Sequence, residues 1–139
     1  MKNFLIIGDT DALISTINKD AHHETVKTLY KKLAKQNAEI FFPAAIVAET
    51  ITACRRKLND PELAKVFVTQ LNSQLIETVP TDSEILHLAA SFYNPLGSKQ
   101  NTFFDAVVAA SAKKYNADAI FSFDGWYEKL GFTLASNLS

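Results

Sequence analysis

Phe4-Leu5-Ile6-Ile7-Gly8-Asp9-Thr10-Asp11-Ala12-Leu13-Ile14 is the stretch whose reading decides the fold. A short apolar run, residues 4–8, reads as a strand. It ends abruptly on an acid, and a helix is expected from about residue 12 to 18. The same device returns near the other end, where Ala119-Ile120-Phe121-Ser122-Phe123 runs into Asp124. Between them, further strands are expected at residues 39–42 and 75–79. Helices are expected at about 22–36, 44–58, 61–72, from 83 onward, and 103–115, with a short one at 125–130 and a possible edge strand at 132–134. Short apolar strands alternating with helices argue for an α/β fold with a largely parallel sheet. The stretch 94–101, Asn-Pro-Leu-Gly-Ser-Lys-Gln-Asn, is the most turn-rich loop.

A chain of 139 residues reads as one domain, residues 1–139, able to bury a core without disulfides or structural metal. The single cysteine, Cys54, has no internal partner and falls in an apolar helical pattern, the setting of a buried thiol in a reducing compartment. The apolar run after Met1-Lys2-Asn3 is too short for a secretory leader, and no run approaches the roughly 20 residues that span a bilayer. A cytoplasmic protein without membrane association is expected. With 14 basic and 15 acidic residues the net charge is −1, so binding of nucleic acid by bulk charge is excluded. A nucleic-acid substrate would need local positive charge, which bound divalent ions supply.

Four acids stand out. Asp9 and Asp124 end strands, and parallel strands place such ends on one edge of a sheet, where the binding crevice lies. Asp105 falls in the first turn of an apolar helix, with Ala109 and Ala112 on its side. Glu49 lies about 200° round its helix from Val47, off the apolar stripe Val47, Ile51, Cys54, Leu58 and on a face with Ala45, Thr52, Ala53 and Arg56. Each has a plain alternative: Asp9, Asp11 and Asp124 suit helix caps, Thr102-Phe103-Phe104-Asp105 suits a capping box, and periodicity alone makes Glu49 a solvated side chain. Capping does not explain why acids should gather on one edge. Carboxylate oxygens gathered there favour hard cations such as Mg²⁺ or Mn²⁺, and without one they would repel each other and hold their protons more tightly. His22, His23 and His87 read as helix-surface residues away from these acids. Arg55-Arg56-Lys57 reads as a solvated helix end, with Arg56 the candidate for a phosphate contact. No Gly-rich phosphate loop and no nucleophile elbow is present.

These residues resemble the PIN-domain family and, in size and layout, its VapC-type toxin ribonucleases. Asp9-Thr10-Asp11-Ala12-Leu13-Ile14 is similar to the opening motif, and Pro43-Ala44-Ala45-Ile46-Val47-Ala48-Glu49 to the segment carrying the helix glutamate. Phe104-Asp105-Ala106-Val107-Val108-Ala109-Ala110-Ser111-Ala112 is similar to the third motif, and Ile120-Phe121-Ser122-Phe123-Asp124 to the fourth. The resemblance implies a PIN-like three-layer α/β/α fold with a four- to five-stranded, mostly parallel sheet. It implies Mg²⁺- or Mn²⁺-dependent RNA hydrolysis leaving a 5′-phosphate and a 3′-hydroxyl, an antitoxin partner that occludes the site, and a homodimer. By position, Asp9, Glu49, Asp105 and Asp124 would hold metal, Ser122 would orient carboxylates or water, and Thr10 would support Asp9. Asp11 stands where the family commonly has Ser or Asn.

Two rival readings predict different outcomes. Asp9-Thr10-Asp11 after a strand also resembles the opening of haloacid-dehalogenase-type phosphatases, with Asp9 as nucleophile and Asp11 as general acid/base; that reading leaves Glu49 and Asp105 unused. A catalytically inactive PIN-like binding module would keep the carboxylates merely as caps.

Overall fold

In the computed structural model, which describes residues 3–138, the opening stretch lies at the heart of the sheet. Strand β1 (Leu5–Gly8) is flanked by β2 (Glu39–Pro43) and β4 (Ala119–Phe121), with β3 (Thr78–Val79) outside β2, giving the order β3-β2-β1-β4. All pairings are parallel, with Ile6 opposite Ile40 and Ala119, and Ile7 opposite Phe41 and Ile120. Parallel neighbours require crossovers, and seven α-helices among the described residues provide and cover them. They are α1 (Thr10–Ser15), α2 (His23–Lys35), α3 (Ala44–Arg56), α4 (Pro61–Asn72), α5 (Ser83–Phe92), α6 (Phe103–Lys114) and α7 (Trp126–Lys129).

Alternation along β1 divides the core into two layers. Ile7 packs with Leu13, Phe42, Ile46, Phe67, Val108, Ile120 and Tyr127 on one face, while Ile6 packs with Val26, Leu29, Leu33, Ala119 and Phe121 on the other. A smaller apolar cluster, including Ile85, Ala89, Ala106, Val107 and Ala110, joins α5 to α6. The run Ala106–Ala112 of α6 is buried throughout, because side chains no larger than valine let the helix lie close to its neighbours. Gly8 serves the same end in the sheet, where a Cβ would run into the ring of Phe42.

Local chemistry fixes the helix ends. Asp60 and Asp82 cap α4 and α5 by accepting from Leu63 N and Ile85 N, each at 3.0 Å. Left-handed residues at Asn37, Asn59, Gln74 and Asn116 turn the chain after α2, α3, α4 and α6.

The sequence expectations need adjusting at several ends. The first helix starts at Thr10, because Asp9 rather than a later residue caps it. The third stops at Arg56, leaving Leu58 42% exposed and outside the apolar stripe assigned to it. β3 keeps only two residues, and Leu75 at 73% exposure takes no part in it. Leu134 makes a single parallel bridge to Ile120 in place of an edge strand. No helix among the described residues is long and apolar enough to cross a membrane.

From β1 the chain moves to β2 and β3 on one side, then returns to β4 on the other. The switch point therefore falls between the carboxyl ends of β1 and β4.

Candidate functional site

Asp9 leaves β1 at that switch point. Its backbone N–H donates to Phe121 O at 3.2 Å, carrying the ladder one step past the strands and pinning the acid beside β4. The side chain is only 5% exposed. Its Oδ1 accepts from Ala12 N at 3.0 Å as the cap of α1, and the Ser122 hydroxyl donates to the same carboxylate. Burial outweighs both bonds and, with the charges of Asp11 and Asp105 nearby, pushes the carboxyl up to about 7.

Asp105 does make the capping box. Its Oδ2 accepts from Thr102 N at 2.9 Å, and its own N–H points at Thr102 Oγ1 at 3.4 Å. Tyr127, fully buried, donates its hydroxyl to Asp105 Oδ1 at 3.4 Å. Burial again leads, and the charges of Asp124, Glu49 and Asp11 add to it, pushing this carboxyl up to about 6 against the Thr102 bond. A cap alone asks for one oxygen at a helix end; it does not ask for three further carboxylates within electrostatic reach.

Glu49 is not the solvated side chain that periodicity suggests. It is half-buried, and its Oε1 accepts from the Thr10 hydroxyl. Thr10 thus supports Glu49 rather than Asp9, the residue to which the motif assigned it. Desolvation raises the Glu49 pKa, while Thr10 and the charge of Lys57 act in the opposite direction.

Asp124 lies three residues past β4. Its Oδ1 accepts from Trp126 N and its Oδ2 from Asn101 Nδ2, both at 2.9 Å. Ser122 bridges the pair of strand-end acids: its oxygen accepts from Asp124 N at 3.0 Å while its hydrogen goes to Asp9.

Asp9, Thr10, Asp11, Glu49, Lys57, Gln100, Thr102 and Asp105 line one cleft of about 110 Å³. Asp124 and Ser122 are not on its wall, but the charge of Asp124 acts on Asp105 and the Ser122 hydroxyl bonds Asp9. Lys57, not Arg56, is the member of the basic cluster that reaches this cleft. Gln100, Asn101 and Tyr127 also belong to the site and carried no sequence signal: Gln100 lines the cleft, and the contacts of Asn101 with Asp124 and of Tyr127 with Asp105 span 23 and 22 positions, beyond any local pattern. His22 stacks its ring on Phe123 at 4.3 Å and 9° between planes.

A larger cleft of about 500 Å³ lies elsewhere, walled by Leu13, Ile17, Val26, Tyr30, Ile40 and Phe42 among others. Its lining is mostly apolar and carries one acid, Glu77, beside Lys27 and Lys31, so the chemistry is sought in the smaller one, where four carboxylates gather.

Among the described residues no three His, Cys, Asp or Glu side chains converge as a finished metal cage. The donor set nonetheless fits a hard divalent cation: the groups are carboxylate oxygens, and two of them are held near neutrality by burial and mutual repulsion that a cation would relieve.

A parallel α/β protein with an acidic crevice at its switch point is the class that fold and site define. Residues 6–132 match the PIN domain model, and the chain belongs to the PIN-domain family. Its fold is that of VapC-type members. It superposes on Mycobacterium tuberculosis VapC20, a sarcin-ricin loop cleaving toxin, with a TM-score of 0.77 at 21% identity, covering 92% of this chain and 96% of that one. FitAcB from Neisseria gonorrhoeae gives 0.69 at 18% identity, over 96% and 99% of the two chains. VapBC2 from Rickettsia felis, bound to a DNA fragment from the promoter, gives 0.68 at 18%, over 94% and 97%. No curated protein sequence matches the chain. Family membership also removes the haloacid-dehalogenase alternative.

Proposed function

We propose that this chain, as a single PIN nuclease domain, is a divalent-metal-dependent endoribonuclease acting as the toxin of a type II toxin–antitoxin pair. One observation carries the reading: Asp9, Asp11, Glu49 and Asp105 face one small cleft, with Asp9 raised to about 7 and Asp105 to about 6. Such a cluster costs folding energy without a cation, and capping needs none of that cost.

Asp9, Glu49, Asp105 and Asp124 would hold Mg²⁺ or Mn²⁺. A bound ion of this kind lowers the pKa of a water and offsets charge developing on a phosphodiester. The protein's own groups do the positioning. Ser122 fixes Asp9 relative to Asp124, Thr10 orients Glu49, and Thr102 with Tyr127 orients Asp105. Lys57 offers a cation to a phosphate at the cleft wall. Water attack in line would leave a 5′-phosphate and a 3′-hydroxyl, with no side-chain nucleophile.

Likeness in fold to VapC20, FitAcB and VapBC2 supports an antitoxin partner. A homodimer in the cytoplasm completes the proposal. The test is cleavage of RNA with Mn²⁺ or Mg²⁺ by the purified protein and by Asp105→Asn. Metal-dependent cleavage that the substitution removes supports the reading, and cleavage that persists in EDTA or in the variant overturns it.

A further inference from the structure

Of the four carboxylates on the wall of the acidic cleft, Asp11 is the one to which the motifs give no role. Its place is fixed by its neighbours in the chain. Asp9 caps α1 through Ala12 N, and Thr10 donates its hydroxyl to Glu49, so the first turn of α1 is fastened to α3 with Asp11 inside it. Asp11 is also the most exposed of the four. Among the described residues none donates a hydrogen bond to its carboxylate, and Lys57, the cation on the same wall, makes no ion pair with it. Asp124 is in the opposite condition. Its Oδ1 accepts from Trp126 N and its Oδ2 from Asn101 Nδ2, each at 2.9 Å, and it is not on the wall.

The plain role of an acid in a first helical turn is to complement the helix dipole. That role does not ask Asp11 to share a cleft with Asp9, Glu49 and Asp105, and the cap of α1 is already supplied by Asp9. Sharing the cleft sets like charges together: the charge of Asp11 adds to the upward shift of all three neighbours. A carboxylate with both oxygens open, on a fastened turn beside three others, is instead what a hard cation requires. Such an ion seeks about six oxygen donors and is held more tightly as the charge of its ligands accumulates. We infer that Asp11 is a direct ligand of the divalent ion in this cleft, adding a carboxylate oxygen to those of Asp9, Glu49 and Asp105. The inference rests on the metal-dependent reading of the cleft and adds to it a ligand that the motifs leave unassigned. A solvated first-turn acid acting on the ion only through its charge is the competing account.

The test titrates Mn²⁺ into the parent and Asp11→Asn in the absence of RNA, reading the free ion by EPR at low and at high KCl. A urea melt in EDTA checks that the variant is folded. Loss of a group that merely supports a ligand costs about 10- to 100-fold in metal affinity, and loss of a ligand should cost at least as much. Asp11→Asn is expected to weaken Mn²⁺ by that factor at both salt concentrations, because a bond to the ion is not screened as a separated charge is. Pulsed EPR in ¹⁷O-labelled water counts the waters on the ion, and the variant should carry an additional one where the carboxylate is lost. Equal Mn²⁺ affinity in parent and variant overturns the inference, as does a difference that vanishes in high salt or an unchanged water count. A parent that binds no Mn²⁺ overturns it together with the metal reading of the cleft. Mn²⁺ binding that depends on Asp11, without RNA cleavage by the parent, leaves the ligand assignment standing and removes the ribonuclease reading instead.

Discussion

Asp9→Asn is the substitution whose consequence can be worked furthest. The amide keeps the shape of the carboxyl and an oxygen for Ala12 N, but it cannot ionise. In the parent the Asp9 carboxyl is raised from an ordinary 3.8 to about 7, chiefly by burial. At about 1.4 kcal/mol per pH unit, that difference is worth about 4 kcal/mol as an upper bound. An acid whose folded pKa is raised contributes stability that is fully present below 3.8 and lost as pH climbs through about 7. Metal-free parent should therefore weaken progressively across that window, while Asp9→Asn is spared Asp9's share. Urea denaturation in EDTA should find the two nearly equal in stability at pH 4, with the variant ahead by several kcal/mol at pH 8. Mn²⁺ should narrow or reverse the gap at pH 8. A ligand at 100 times its Kd adds about 2.7 kcal/mol to the form that binds it, and the variant lacks a principal carboxylate. A stability gap that stays flat with pH would refute the burial argument. Equal stabilisation of parent and variant by Mn²⁺ would refute the metal assignment.

Asp105→Asn should retain the helix cap, because its oxygen still accepts from Thr102 N; metal-free, it should match the parent near pH 4 and be the more stable of the two above about pH 6, where the raised carboxyl of the parent ionises, while RNA cleavage falls to background, read by a gel assay beside a melt. Thr10→Val removes the hydroxyl that holds Glu49, and a loss of about 10- to 100-fold in activity or in metal affinity is expected, measured by Mn²⁺ titration of the rate. Cleavage should rise with pH between about 5 and 8 as Asp105 and Asp9, at about 6 and 7, give up their protons, and the midpoint should move down as Mn²⁺ concentration increases, since metal competes with protons. Gly8→Ala drives a methyl into the Phe42 ring and should cost about 1–3 kcal/mol, seen as a lower urea midpoint with an unchanged slope.

What could be read in the residues was whatever is settled within a few positions. The Thr102–Asp105 box, the Asp60 and Asp82 caps, the apolar strands and the small-residue run of α6 each follow from neighbours along the chain. Four motifs in order carried the family resemblance, and with it the parallel sheet that sets Asp9 and Asp124 on one edge. Glu49 shows where local reading stops. Periodicity put it in solvent because the helix stripe says nothing about what packs on the other faces; Thr10, 39 positions earlier, is what covers it. Lys57 reached the cleft instead of Arg56 for a related reason. Lys57 is the C-cap, still helical in its backbone and bonded to Ala53 O, and which side chain of the basic run reaches the cleft is decided by packing around the helix end.

The sequence by itself determined the two apolar strands that end on acids, the helix between each pair of strands, and the local caps, since these depend on hydrogen bonds and periodicities spanning a turn or less. Only the tertiary structure decided which carboxylates share one cleft and how far burial raises Asp9 and Asp105. It also decided which hydroxyl, amide and lysine stand beside them. Desolvation and charge–charge repulsion depend on distance through space, and β1 meets β4 across more than a hundred residues of chain.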